Sequence, residues 1–199
     1  MISKRGLFLK RFFDIALSLF GIFIFSPVIL IAWIVASIDT RSNGFFCQKR
    51  IGKNGDSFTL YKIRTMHQNL NTLNHVTVAS DPRISNIGAF LRKLKIDELP
   101  QLFNVLVGQM SFVGPRPDVD GYANKLKGAD RLILSVRPGI TGPASIKYRN
   151  EELILQEKDD PKKYNDEVIW PDKVKINISY VKNWSFYKDL IYILKTFNQ

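Results

Sequence analysis

The chain has 199 residues, 45% of them hydrophobic and 24% charged, with a net charge of +11. That is enough for one domain with its own core, too polar for a polytopic membrane protein and too apolar for a disordered chain. The single cysteine, Cys47, excludes an intrachain disulfide and suits a reducing compartment, the histidines His67 and His75 leave no zinc-type cluster, and the basic balance points to nucleic acid, anionic lipid or phosphorylated substrates.

Ile15 to Ile38 carries no charge over 24 residues. At ~1.5 Å per residue a straight helix of that length crosses a bilayer. A cleavable signal peptide is the alternative, but the run exceeds an ordinary h-region and no small-x-small site closes it. Ser26-Pro27 stands mid-run. Proline removes a helix hydrogen bond, clashes with the carbonyl four residues back, and pushes its predecessor out of helical geometry. A kinked spanning helix would tolerate it. Both flanks are basic, however: Lys4, Arg5, Lys10 and Arg11 precede the run, and Arg41, Lys49, Arg50 and Lys53 follow it. Spanning helices are oriented by asymmetry of Lys and Arg. Symmetric flanks favour a re-entrant helix-break-helix that enters and leaves on the cytoplasmic face. Asp14 is expected to pair with Lys10 one turn earlier.

Polar character begins at Asp39, which divides the chain into an anchor (1–39) and a catalytic domain (40–199). FFCQKRI and SFTLYKIRT flank Gly52-Lys53-Asn54-Gly55 and read as a β-hairpin. Residues 67–82 read as a polar loop. A short basic helix is expected over 86–95, and a second from Asp97 to Val107, with Pro100 in its first turn and Gly108 ending it. Two Pro/Gly loops, VGPRPD and VRPGITGP, bracket a helical stretch near 119–134. Residues 150–166 are charged and partly helical, and helices are expected over 173–183 and 186–197. The last places Phe186, Leu190, Ile193, Leu194 and Phe197 on one face, either as core or resting on a membrane surface. The expected class is α+β: mainly helical with a small β-hairpin, a re-entrant membrane helix and amphipathic interfacial helices.

Asp97-Glu98 is the first candidate for chemistry. At a helix start it reads as an N-cap with a first-turn acid, or as two carboxylates with separate tasks. One would attack phosphorus, and the other would help hold a divalent metal or handle a proton. Ile96, Leu99 and Pro100 would keep water away. Lys62 and Arg64 alternate with Tyr61 and Ile63, so they share a strand face. Arg92 lies five residues before Asp97, Arg116 stands between Pro115 and Pro117, and Arg137 precedes Pro138-Gly139. Guanidinium forks on stiff loops suit phosphate oxygens. Any one of them alone reads as a solvated surface charge. No Walker loop or dinucleotide glycine fingerprint is present.

YKIRTM (61–66), DPRISNIG (81–88), LRKLKIDELPQLFNVLVGQMSFVGPRP (91–117) and RPGITG (137–142) resemble the catalytic core of the monotopic phosphoglycosyl transferases, bacterial sugar transferases that start glycan assembly. The resemblance covers residues 8–145 well and the tail more loosely. It implies a two-step reaction. Asp97 attacks the β-phosphate of a UDP-sugar and releases UMP, and polyprenyl (undecaprenyl) phosphate then takes the phospho-sugar from the aspartyl intermediate. It also implies Glu98 as the Mg2+-associated partner of Asp97, a substrate-binding set of Lys62, Arg64, Arg92, Pro115, Arg116, Pro117 and Arg137, and a helix break at Ser26 and Pro27. The implied location is the cytoplasmic face of the bacterial inner membrane. The partners would be membrane lipid and the two substrates, not nucleic acid, with a homodimer left open. Gln109 and Pro143-Ala144-Ser145 depart from the common pattern and put the sugar preference, not the reaction, in doubt. The chain looks like the minimal single-domain form. A non-catalytic basic membrane scaffold and a membrane diphosphohydrolase using the same Asp are the competing readings.

Overall fold

The computed structural model describes residues 3–67 and 81–197. The central part of the expected 67–82 loop lies outside the described residues. Helix α1 (Lys4–Thr40) opens at Ser3, whose Oγ accepts the Gly6 N–H at 3.1 Å, and closes at Arg41, left-handed at φ 49°. At Ser26-Pro27, where a break is expected, the backbone stays helical through both residues, so no unwound residue separates the two arms of α1. The physical reason is local. Pro27 has no N–H for the Phe23 carbonyl, and the Ser26 hydroxyl donates to that same oxygen at 3.2 Å. The proline's missing bond is replaced in place, so the helix has no need to unwind.

The buried positions of α1 fall in two groups, Lys10, Asp14, Ser18 and Gly21, then Ile29, Ala32, Ala36 and Thr40. Their spacing by three and four puts each group on one helix face. Between them, 23–28 are all exposed. Both arms pack on the same globular body. In the first arm, Lys10 Nζ reaches the Val113 carbonyl at 2.8 Å and Asp189 Oδ2 at 2.5 Å. Arg11 donates to the Val105 and Leu106 carbonyls, both at 2.7 Å, and Asp14 Oδ1 accepts from Ser111 Oγ and the Phe112 N–H, both at 3.0 Å. In the second arm, Ile29, Ala32 and Ala36 form a core with Ile63 and Leu91, edged by Trp33, Phe45, Ile96 and Leu99. The expected Lys10–Asp14 pair therefore gives way to partners about a hundred or more residues distant. An exposed i,i+4 pair contributes only ~0.2–0.5 kcal/mol, while a buried ammonium left unpaired costs far more.

Strands β1 (Phe45–Ile51) and β2 (Ser57–Ile63) form the expected antiparallel hairpin, Phe45 opposite Ile63 and Ile51 opposite Ser57. Helix α2 (Asn86–Lys93) is capped by Ser85, whose Oγ accepts the Gly88 N–H at 2.8 Å. Helix α3 spans Gln101–Leu106 and stops at Gly108, φ 87°. The two Pro/Gly loops contain strands not expected from sequence, β3 (Ser111–Val113) and β4 (Gly139–Thr141), which pair in parallel. Glycine is required where they meet, because a Cβ on Gly139 would stand 2.1 Å from the Gly114 nitrogen. The stretch expected to be helical near 119–134 consists of 3-10 turns at Ala123–Lys125 and Gly128–Ser135.

The rest is helical: α4 (Pro143–Lys147), α5 (Glu151–Gln156), α6 (Pro161–Tyr164), a π-helical turn over Asn165–Ile169, α7 (Trp170–Lys182) and α8 (Phe186–Phe197). The α8 stripe divides between its two expected roles. Phe186 meets Phe13 edge-on at 5.3 Å, and Ile193 joins the core around Val113, Val136, Tyr180 and Val181, while Leu194 and Phe197 stay exposed. Exposed apolar side chains also line α2 (Ile87, Phe90), α3 (Phe103) and the outer face of α1 (Phe8, Phe12, Phe20, Phe23). The class is α+β as expected, mainly helical with two small sheets.

Candidate active site

The Asp97-Glu98 pair does not open a long helix. Lys95 is left-handed (φ 58°), Ile96–Glu98 is a 3-10 turn, and α3 begins only at Gln101. Pro100 is the cause. It cannot donate to the Ile96 carbonyl, and its ring crowds it, so the chain tightens into i→i+3 bonds, Leu99 N–H to Ile96 O and Phe103 N–H to Pro100 O. The turn sets Asp97 inward, 7% exposed, with Oδ1 buried and without a hydrogen-bond partner. Burial pushes its carboxyl above the usual range, against the pull of Lys62 and with the help of Glu98.

Glu98 is the hub of the site. Its Oε1 accepts from Lys62 Nζ at 2.8 Å and from Arg116 Nη2 at 2.7 Å. Burial alone would raise its pKa, but the charges of Arg116 and Lys62 outweigh that and hold it well below the usual carboxylate range. The two carboxylates thus stand in opposite environments, Glu98 lowered by its cations and Asp97 raised by burial. Burial lowers the Lys62 ammonium, and Glu98 opposes that shift. Glu98 raises the Arg116 guanidinium.

Arg116 is held by its backbone. Pro115 and Pro117 are buried, the Pro115 carbonyl accepts the Gly139 N–H at 2.8 Å, and the Pro117 carbonyl accepts from Arg50 Nη1 at 3.2 Å. Asp118 O accepts the Ile51 N–H at 2.9 Å. The loop is thus fixed between β1 and β4 with Arg116 aimed at Glu98. A shallow depression beside it is lined by Ile51, Gly52, Arg116 and Asp118, among others.

The remaining expected cations have other partners. Arg92 is ion-paired with Glu152 of α5, although its charge reaches Asp97. Arg64 follows the last residue of β2 and donates to the Asn43 and Phe45 carbonyls at 2.7 and 3.3 Å. Arg137 Nε donates to the Gly108 carbonyl at 2.7 Å and so closes α3.

Four residues not expected at the site from sequence adjoin it. Arg50 supports the Pro117 carbonyl, and burial, reinforced by Arg116, lowers its pKa to about 10. Asp118 is pushed up to about 7 by burial. Glu152 holds Arg92. Gln101 is 2% exposed with Nε2 unbonded. Gln101 and Asp118 stand inside the quoted DELPQL and VGPRPD segments, but their burial is a tertiary fact.

No group of three or more His, Cys, Asp and Glu capable of holding a metal occurs among the described residues. Mg2+ commonly takes one or two carboxylates and completes its shell with water and substrate phosphates. The unbonded Asp97 oxygen fits that kind of binding, and Glu98 fits it less well because Lys62 and Arg116 already occupy Oε1.

Comparison with known proteins gives the family of the chain. The family described as "Bacterial sugar transferase" matches residues 5–199. "Exopolysaccharide production protein ExoY" of Rhizobium meliloti is 33% identical, over 94% of this chain and 83% of its own length. "Undecaprenyl-phosphate galactose phosphotransferase" of Salmonella typhimurium and "Undecaprenyl-phosphate glucose phosphotransferase" of Komagataeibacter xylinus are each 33% identical over 98% of this chain. The chain spans 41% and 36% of the length of those two relatives.

Proposed function

The chain belongs to the bacterial sugar transferase family, and on that premise we propose that it moves a phospho-sugar from a UDP-sugar to undecaprenyl phosphate. It is then a transferase of a substituted phosphate group, like the two relatives named for that reaction. The observation that carries the reading is the contrast within one carboxylate pair. Glu98 is neutralised by Lys62 and Arg116, while Asp97 keeps a buried oxygen with no partner.

The contrast supports separate roles for the two. The Asp97 carboxylate attacks the sugar-bearing phosphorus, an O–P bond forms, and the P–O bond to UMP breaks with its electron pair leaving on UMP. An oxygen of undecaprenyl phosphate then attacks the same phosphorus, and the Asp97–phosphorus bond breaks. Asp97 is restored, and the lipid carries the sugar on a diphosphate. Glu98 holds Lys62 and Arg116 in place, and those cations offset the charge gathering on the phosphoryl oxygens. When bound, Mg2+ supplies further charge compensation to the diphosphate. Apolar Ile96, Leu99 and Pro100 limit the access of water to the intermediate.

Helix α1 supports a membrane-surface location. Its two arms both pack on the catalytic body, and only the uncharged stretch around 23–28 projects free. Lys10 to Thr40 is 30 residues, about 45 Å along a straight helix. A spanning helix would set those ends on opposite sides of a ~30 Å hydrocarbon layer, yet both contact one basic body. That packing supports a chain that enters and leaves on one membrane face, which we read as the cytoplasmic face of the inner membrane, at the depth of the lipid phosphate.

The test is to incubate purified protein with a panel of UDP-sugars, with and without undecaprenyl phosphate, and to follow UMP. Lipid-dependent, EDTA-sensitive UMP release on one sugar is expected. No UMP with any sugar overturns the reading, and turnover with water in place of the lipid would make the protein a diphosphohydrolase.

A further inference from the structure

Gln101 and Asp97 lie on the same buried stripe. The buried positions of the segment are Asp97, Pro100, Gln101, Leu102, Asn104 and Val105, and Asp97, Gln101 and Asn104 among them share the three-and-four spacing of one helix face. Side chains at the two ends of the segment meet β2. At one end Asn104 is fully engaged, its Oδ1 accepting the Tyr61 N–H at 3.1 Å and its Nδ2 donating to the Thr59 carbonyl at 2.7 Å. At the other end Glu98 takes Lys62. Between them Gln101 is 2% exposed, and its amide Nε2 donates to nothing.

Two orphan groups thus stand four residues apart, an acceptor on Asp97 and a donor on Gln101. The rise between them is about 6 Å in α geometry and about 8 Å in 3-10 geometry. Helical side chains lean toward the N-terminus, so the Gln101 amide is carried toward the turn that holds Asp97. An amide donor shut away from water with no acceptor destabilises the fold, and such a group persists where something else uses it. A phosphoryl group seated on Asp97 presents non-bridging oxygens that only accept, which is the complement of an amide N–H.

We propose that Gln101 is a catalytic residue: its Nε2–H donates to a non-bridging oxygen of the phosphoryl group transferred at Asp97. The inference rests on the phosphoglycosyl transfer reading. No bond is made or broken by Gln101, and the hydrogen bond strengthens as charge gathers on that oxygen in each of the two displacements. Lys62 and Arg116 supply charge from the Glu98 side, and Gln101 supplies a neutral, directional donor from the floor of the site.

The test compares wild type with Gln101→Leu and Gln101→Glu in the acceptor-free burst of UMP. The burst amplitude counts folded, competent sites, and the burst rate reads the chemistry. Wild type must first give a burst, and its absence would reject the parent reading rather than this one. For Gln101→Leu the expected result is a retained amplitude, a burst rate lower by about a hundredfold, and a melting temperature equal to or above wild type, because the orphan donor is gone. Gln101→Glu keeps the shape without the donor and is expected to lose at least as much rate. A merely structural glutamine gives the opposite pattern, with lower melting temperature and amplitude and an unchanged rate per competent site. That pattern, or a wild-type burst rate in either variant, overturns the proposal.

Discussion

Lys10 Nζ stands 2.5 Å from Asp189 Oδ2, joining the first helix of the chain to the last across 179 positions of sequence. Both side chains are buried, and both are otherwise satisfied: Lys10 by the Val113 carbonyl, Asp189 by Tyr180 Oη at 2.8 Å and Trp184 Nε1 at 2.9 Å. The network anchors the first arm of α1 to the body through β3, α7 and α8.

Asp189→Ala leaves a buried ammonium, a phenol and an indole N–H without their common acceptor. Removing one partner of a buried pair costs about 3–5 kcal/mol. Detergent-solubilised Asp189→Ala is expected to unfold at clearly lower denaturant concentration than wild type, and Lys10→Met Asp189→Leu together to recover part of the loss. An Asp189→Ala variant as stable as wild type would show that the network contributes nothing.

Both ends of α1 are expected on one side of the membrane, because both arms pack on one body. Single cysteines at Lys4 and Asn43, in a Cys47→Ser background, should react with an impermeant thiol reagent only after the cytoplasmic face is opened. Labelling from opposite faces would establish a spanning helix.

Arg116 should resist conservative replacement. Its fork is aimed at Glu98 by a loop pinned at Pro115 and Pro117. Arg116→Ala should lower kcat/KM by about a hundredfold, the scale for loss of one transition-state donor. Arg116→Lys should recover little, because a flexible ammonium does not reproduce a planar fork. Full UMP release by the lysine variant would reduce Arg116 to a surface charge.

Asp118 should make stability depend on pH near neutrality. Its folded pKa is raised to about 7 by burial, above the ordinary 3.8 of an aspartate, so the folded state holds the proton more tightly than the unfolded chain. Stability from this group is fully present below the unfolded pKa and is lost as pH rises through about 7. Asp118→Asn is therefore expected to melt higher than wild type at pH 8 and to lose that advantage at pH 4. An equal difference at both pH values would mean that Asp118 does not titrate in that window.

Asp97→Asn should keep the fold and abolish turnover, since it preserves shape and removes the anionic nucleophile. Wild type with UDP-sugar alone should release about one UMP per competent site, with ping-pong kinetics once lipid is added. Mass spectrometry should place the phospho-sugar on the peptide holding Asp97. An active Asp97→Asn enzyme with intersecting double-reciprocal lines would mean direct attack by the lipid phosphate.

The sequence by itself determined the long apolar first helix, the hairpin, the basic α2, the stop at Gly108, the terminal helices and the adjacency of Asp97 and Glu98. Each of these is written in local signals: an uncharged run, alternating residues about a Gly-rich turn, a serine cap, or a glycine able to take positive φ. Tertiary structure decided the rest. Three residues are too short a run to announce β3 and β4, whose pairing depends on glycines far apart in the chain. Pro27 alone predicts a break, and only the Ser26 hydroxyl on the Phe23 carbonyl explains why the helix continues. Which of the many cations face the carboxylates was likewise invisible, because Lys62 and Arg116 meet at Glu98 through separate elements while Arg64 and Arg137 turn to backbone carbonyls. Composition supplies the charges, but the burial that raises Asp97 and clamps Glu98 exists only once β2, the Pro-Arg-Pro loop and the Pro100 turn have closed on one another.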